Sequence, residues 1–134
     1  MSVITIDKPK IDISPEIRKQ LLTQTDEMGQ VVMHFLYEPG IYGSMIRIWP
    51  TTYLYDHHSS HRSELVHQEQ ISLYPEWTNV YPMEEHFFTL IFSGLPKACS
   101  VFNFKEECAN QGNEFKVDDI IRNQSDVYYF RMLS

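Results

Sequence analysis

A histidine-rich stretch, DHHSSH at residues 56–61, carries the side chains of this 134-residue chain that are best suited to chemistry. Imidazole and carboxylate groups are ligands that zinc, nickel and copper favour in proteins. In an extended hairpin loop His57 and His61 can converge, with Asp56 or His67 as a further ligand. The stretch therefore predicts a candidate metal site at His57, His58 and His61. The preferred expectation is a protein without a cofactor, and zinc at this site is the alternative.

The same stretch has two other interpretations. It contains no HExxH or other standard metal signature, and ordering a loop around an ion costs conformational entropy. A solvated hairpin loop between two strands explains the residues more simply. A pH-sensitive contact is the third option, because histidine titrates close to neutral pH.

Adjacent acidic residues, at 84–85, 106–107 and 118–119, are the next candidates for chemistry. Acid–base catalysis needs two carboxylates that face one substrate, whereas adjacent residues on a strand point to opposite faces. These pairs are more typical of solvated turns. The chain also lacks a GxSxG elbow, a GxGxxG loop and a GxxxxGK[ST] loop. We therefore expect no catalytic residues, and a non-enzymatic role is preferred while enzymatic activity stays open.

Aromatic side chains form the third candidate group. Tyrosine and tryptophan are favoured at interfaces because they bury a large area and keep a polar tip. Six such side chains form a candidate exposed aromatic patch: Trp49, Tyr53, Tyr55, Tyr74, Trp77 and Tyr81. Among them, the predicted partner-binding residues are Trp49, Tyr53, Tyr55 and Trp77. The alternative is that these rings line the core or cover its edges.

All of these side chains must be positioned by strands, and the segment from Phe87 to Phe104 is the clearest strand-forming one. Apolar residues occupy both alternating sets from Phe87 to Phe92, which is typical of a central strand that is covered on both faces. Gly94 and Pro96 interrupt the run. The segment therefore predicts two strands that are paired through a tight turn.

The rest of the chain favours further short strands, among them residues 31–37 and 126–133. Seven or eight such strands with frequent turn signals predict an all-β, single-domain β-sandwich, for which an immunoglobulin-like arrangement is one option. Residues 31–134 are predicted to form this sandwich domain. Residues 1–30 are predicted to form an N-terminal arm, in which Ser14-Pro15-Glu16 is a candidate start for a short helix.

Charge and composition exclude several function classes. The net charge of −7 disfavours binding to nucleic acid and to anionic membranes. No stretch reaches the ~20 apolar residues that span a bilayer, and the N-terminus lacks the features of a signal peptide. We therefore expect a cytoplasmic protein in which Cys99 and Cys108 are reduced thiols.

The string TLIFSGLPKACSVFNFKEE at residues 89–107 resembles a group of small bacterial β-sandwich domains of unknown function. MIRIWPTTYLYD at residues 45–56 and DVYYFRM at residues 126–132 extend the resemblance. The resemblance implies a sandwich and supplies no active-site residues.

Three functions follow as expectations from these observations. The first is a binding or structural module that docks a protein partner, or self-associates, through an edge strand or the aromatic patch. The second is a metal-binding protein or small metal-dependent enzyme that uses the His57–His61 loop. The third is a small-molecule binder with its pocket between the two sheets.

Overall fold

Strands are the only regular secondary structure in the part of the chain that the structure describes. The computed structural model describes residues 2–5, 29–108 and 114–133. Its strands are β1 Ser2–Thr5, β2 Val31–Glu38, β3 Ser44–Ile46, β4 Thr52–Asp56, β5 Arg62–Glu69, β6 Thr78–Val80, β7 His86–Phe92, β8 Val101–Glu106, β9 Lys116–Ile121 and β10 Val127–Leu133. The prediction of an all-β fold is confirmed. The predicted helix start at Ser14 lies outside the described residues, whereas β1, within the predicted arm, pairs with β10.

Eight strands form one sheet in the order β1-β10-β2-β7-β5-β4-β8-β9. Strand β5 joins the two halves of this sheet. Its first residues, Arg62 to Glu64, pair with β4, and its later residues, Leu65 to Glu69, pair with β7. The register shifts between Leu65 and His67, and such a bulge lets a strand bend from one layer into another. The sheet therefore curls into two facing layers.

Aromatic side chains fill the space between these layers. The Phe35 ring on β2 lies 5.7 Å from the Phe104 ring on β8, and the Phe92 ring on β7 lies 5.8 Å from Phe104. Phe102 on β8 contacts Tyr128 on β10 at 5.2 Å. Contacts across the layers confirm the sandwich-like fold. The immunoglobulin-like option describes two separate antiparallel sheets, whereas β5 joins the layers here and β2 runs parallel to β10.

The predicted pairing of the two strands within residues 87–104 is wrong. β7 pairs with β2 and β5, while β8 pairs with β4 and β9, so that two strands separate them in the sheet. Both edges of β7 are occupied, because Phe92 lies opposite Val31 on one side and Leu65 on the other. The expectation that β7 is covered on both faces is confirmed, since its last five residues are all buried.

A second, two-stranded sheet is formed by β3 and β6, and we call it the small sheet. Its register places Ser44 opposite Val80 and Ile46 opposite Thr78. β3 belongs to this small sheet, whereas β4, the next strand along the chain, belongs to the large one. Pro50, which has no N–H to donate, lies at this change of sheet.

Candidate functional site

Exposed large apolar side chains are concentrated on and beside the small sheet. Among the described residues, nine such side chains are exposed, and only Val66 on β5 and Ile121 on β9 lie elsewhere. We call the other seven the apolar patch: Ile41, Tyr42, Met45, Tyr74, Trp77, Tyr81 and Met83. Exposed apolar surface that is contiguous is typical of an interaction site, whereas scattered apolar residues are ordinary.

The two-residue alternation of the small sheet explains why the patch is exposed. Ile46 and Val80 point inwards, and only 7% and 5% of their surfaces are accessible. Met45, Trp77 and Tyr81 belong to the opposite set of the alternation, and they are 56%, 48% and 64% exposed. The small sheet therefore packs one face on the core. Its other face carries Met45 opposite the polar Asn79, and Trp77 and Tyr81 flank β6 on either side.

Stacked aromatic rings fix one end of the patch. The guanidinium carbon of Arg47 lies 3.7 Å from the centre of the Trp77 ring and 4.6 Å from that of Tyr74. Tyr74 stacks on Trp49 with ring centres 3.9 Å apart, and Arg47 donates a hydrogen bond to the carbonyl oxygen of Pro75. Each cation–π contact contributes roughly 0.5–1 kcal/mol at an exposed site. Arg47 occupies the position of a cation between these rings, so this end is a preformed surface and not a cage for an external cation.

Two turns form the other end of the patch. The backbone N–H of Met83 donates to the carbonyl oxygen of Gly40 at 2.7 Å, which joins the loop after β2 to the loop after β6. Ile41 and Tyr42 lie at the tip, and Tyr42 is 90% exposed. Gly43 adopts φ +70°, and an added Cβ would lie 2.8 Å from the carbonyl oxygen of Val80. This close approach requires glycine.

Carboxylates border the patch at both ends. Glu76 precedes Trp77, Glu84 and Glu85 follow Met83, and all three carboxylates belong to exposed residues. The patch is therefore an apolar surface with an acidic rim.

The four predicted partner-binding residues fall into two groups. Trp49 and Trp77 both lie in the stack around Arg47. Tyr53 and Tyr55 are half-buried on the outer face of β4, with ring centres 6.1 Å apart. The structure thus does not bring all four residues together.

Four members of the patch were not predicted from the sequence, namely Ile41, Tyr42, Met45 and Met83. Met45 had a readable signal, because it alternates with Ser44 and Ile46 in a short apolar strand. The loop residues had none, because the two turns meet through contacts between residues distant in sequence, such as the hydrogen bond from Met83 to Gly40.

The histidine-rich stretch is a hairpin loop between β4 and β5. The Asp56 carboxylate accepts the backbone N–H of His58 at 3.0 Å and the hydroxyl of Ser59 at 2.6 Å. These hydrogen bonds, led by that from Ser59, lower the pKa of Asp56. Because Asp56 is buried and holds the turn together, its carboxylate oxygens are already occupied by hydrogen bonds within the loop.

The histidine side chains of this loop point to different partners. His57 Nε2 lies 2.6 Å from Asn103 Oδ1 and 3.4 Å from Asp119 Oδ1, whereas His61 Nε2 lies 2.9 Å from Ser63 Oγ. Within residues 2–5, 29–108 and 114–133, no three His, Cys, Asp or Glu side chains form a group that could hold a metal ion. The candidate zinc site at His57, His58 and His61 stays a prediction.

The fold and the patch together define a class of molecule, namely an all-β protein whose curled sheet supports a small sheet with an exposed aromatic face. No family model, curated protein or solved structure matches the chain. The resemblance of residues 89–107 to bacterial sandwich domains stays a prediction. The described residues contain no helix of the length and hydropathy needed to cross a membrane.

Proposed function

We propose that this protein is a non-enzymatic binding module that docks a protein partner through the apolar patch. The observation that carries the proposal is the placement of seven of the nine exposed large apolar side chains, among the described residues, on and beside one small sheet. Complete burial of one such side chain contributes about 1.5–3 kcal/mol. Trp77 and Tyr81 are of the residue types that dominate binding energy at interfaces.

Charge favours a partner of different chemistry over a second copy of the chain. A two-fold symmetric dimer would bring each patch against another patch of the same kind, so that Glu76, Glu84 and Glu85 would face like charges. The net charge of −7 adds repulsion over a longer range. The surface that complements the patch has an apolar centre and a rim of lysine or arginine.

The outermost strand β9 is less suited to docking than the patch. Within the described residues, β9 is the last strand of the large sheet and pairs with β8 alone. Its register is irregular, and it carries the adjacent acids Asp118 and Asp119, of which Asp119 adopts φ 57°. Bulges and charges of this kind are devices that prevent strand addition at an open edge.

Selection from a library of displayed random peptides tests the proposal directly. We expect the selected peptides to combine aromatic or aliphatic residues with lysine or arginine, and to bind more weakly as salt increases. Affinity should fall at least tenfold for Met45→Ser/Tyr81→Ser. It should be unchanged for the control Tyr53→Ser/Tyr55→Ser, whose two rings lie on β4.

Three outcomes would contradict the proposal. The first is a selection without binders, and the second is a set of binders that the control weakens and the patch variant does not. The third is a concentration-dependent dimer in light scattering that Met45→Ser/Tyr81→Ser abolishes, since it would make a second copy the occupant of the patch. Met45 and Tyr81 are exposed, and substitution of such residues changes stability by only about 0.5 kcal/mol each. The control changes half-buried rings that contact Arg62 and Glu107, so thermal melting of each variant must show that it is folded at the temperature of the binding assay.

A further inference from the structure

A cavity of about 330 Å³ opens at the end of the sandwich beside β3. Its apolar wall is formed by six side chains from both sheets and the loops between them: Ile46, Ile48, Ile71, Phe88, Phe115 and Met132. Small-molecule sites are concave, mainly apolar and lined by a few polar groups, with volumes from roughly 300 Å³ upwards. The cavity has this character at the lower end of the size range.

The directions of the backbone hydrogen bonds at Ile48 and Trp49 explain why the cavity is open. Ile48 donates its N–H to the carbonyl oxygen of Ser72 and accepts the N–H of Tyr74, so that its backbone groups face the segment before β6. The next residue, Trp49, points the opposite way and donates its N–H to the Glu106 carboxylate at 3.0 Å. The cavity therefore lies between residues 48–49 and the end of β8. At this point the Trp49 N–H is accepted by the Glu106 side chain and not by a neighbouring strand.

Two charged groups of opposite sign line the cavity. Glu106 is only 5% exposed, and its two oxygens accept the backbone N–H groups of Trp49 and Phe115 at 3.0 and 3.2 Å. Burial raises the pKa of the Glu106 carboxyl, although these N–H donors and the Arg47 guanidinium counteract the rise. A charged ligand would meet one attractive and one repulsive group, whereas an uncharged ligand meets no net charge.

We infer that this cavity binds a small, uncharged, mainly apolar molecule that carries a hydroxyl group. The alkyl or ring portion packs against the apolar wall, where transfer out of water contributes about 0.8 kcal/mol per methylene group. The hydroxyl donates a hydrogen bond to the Glu106 carboxylate, because each carboxylate oxygen has a second lone pair beside the one that a backbone N–H uses. The inference does not depend on the proposed docking of a protein partner.

The chain provides two intrinsic reporters for such a ligand. Its two tryptophans, Trp49 and Trp77, both line the cavity, so a ligand bound there should change the tryptophan fluorescence. Trp77 also belongs to the apolar patch, and the cavity-filling variants described below distinguish the two locations. Cys108 lines the cavity as well. The other thiol, Cys99, is buried, and burial raises its pKa to about 11. Thiol-labelling reagents are therefore expected to distinguish Cys108 from Cys99.

Three probes with the same alkyl chain test the inference, namely octan-1-ol, octanoate and octylammonium. We expect octan-1-ol to change the tryptophan fluorescence saturably, to slow labelling of Cys108, and to bind at least tenfold more tightly than either ion. Absence of a saturable change with octan-1-ol, or tighter binding of either ion, overturns the inference. N-acetyltryptophanamide in the same titrations shows how much of the change comes from the solvent.

Two substitutions that fill the cavity locate the binding. Cys108→Phe and Ile71→Phe should each weaken octan-1-ol binding at least tenfold, and the pair keeps the test valid if one variant fails to fold. Glu106→Gln keeps the shape of the side chain and should reduce the preference for octan-1-ol over octanoate. Unchanged affinity in the folded filling variants overturns the location. Tyr81→Ser, which alters the patch and not the cavity wall, should leave octan-1-ol binding unchanged.

Discussion

His34 makes the stability of this protein depend on pH in a direction that its surroundings define. The side chain lies on the outer face of β2 and is only 2% exposed. Its Nδ1 lies 2.8 Å from Thr89 Oγ1, and its ring stacks on Tyr129 with centres 5.1 Å apart. Burial lowers the pKa of His34 from 6.5 to about 4. The folded protein therefore holds this imidazole neutral under conditions in which the unfolded chain protonates it.

The sign and size of the effect follow from linkage between protonation and folding. The folded pKa lies below the unfolded value, so the contribution to stability is complete above pH 6.5 and is lost as the pH falls towards 4. One pH unit between the two pKa values corresponds to about 1.4 kcal/mol, so the whole window corresponds to about 3 kcal/mol. Between pH 7.5 and pH 4.5 the wild type should lose about 2–3 kcal/mol through this group.

Urea unfolding of the wild type and of His34→Gln at pH values from 7.5 to 4.5 measures this contribution. Glutamine can still hydrogen-bond to Thr89 and does not titrate. Other groups act in both proteins, including Asp56, whose lowered pKa also removes stability in acid, and Glu106, whose raised pKa acts in the opposite sense. The difference between the two curves therefore isolates His34. If both proteins lose stability in parallel as the pH falls, the reasoning is refuted.

Three further predictions concern the loop connections and the histidine loop. Arg122→Ala should destabilise the protein by about 2–4 kcal/mol in chemical denaturation, because it removes one partner of a largely buried ion pair. Arg131→Ala should destabilise it clearly less, because its ion pair with Glu38 is exposed to solvent. Gly43→Ala should cost more than about 1 kcal/mol, because φ is positive and the new Cβ meets a carbonyl oxygen. Zinc titration by calorimetry should give equal heats for the wild type and for His57→Ala/His61→Ala, because these rings have different partners.

Each of these predictions has a contrary outcome. Equal losses for Arg122→Ala and Arg131→Ala would show that the carbonyl oxygens bonded by Arg122, those of Leu95, Pro96 and Cys99, do not depend on it. A Gly43→Ala variant as stable as the wild type would show that the turn relaxes around a Cβ. A zinc heat that is present in the wild type and lost in the double variant would establish the metal site.

The fold class was predictable because most strands carry their signal locally. β2 and β10 are apolar over nearly their whole length, and both were predicted within one residue of their bounds. The choice of which strands pair with each other is not determined by the local sequence. Nothing in the residues from Phe87 to Phe104 shows that Phe92 and Phe104 face each other across two layers instead of along one hairpin. That arrangement depends on the bulge in β5, which the sequence does not mark with glycine or proline.

The candidate site was predictable only in its residue types. Trp49 and Trp77 were selected as aromatic, but their proximity arises from the pairing of β3 with β6 and from Arg47, which lies over the Trp77 ring. Tyr53 and Tyr55 have the same residue type and alternate just as clearly, yet they belong to β4 in the other sheet. Local patterns cannot distinguish these two cases, because the difference lies in contacts between segments that are distant in sequence.

The strand shared by both layers has a consequence for how the chain folds. Because the first residues of β5 pair with β4 and its later residues pair with β7, neither half-sheet is complete without a strand that also completes the other half. We expect loss of either layer to expose the remainder, so that unfolding is a single cooperative step. Such long-range dependence also raises contact order, which slows the search for the native state. The bulge in β5 that lets the sheet form two layers thus also makes the two layers unfold together.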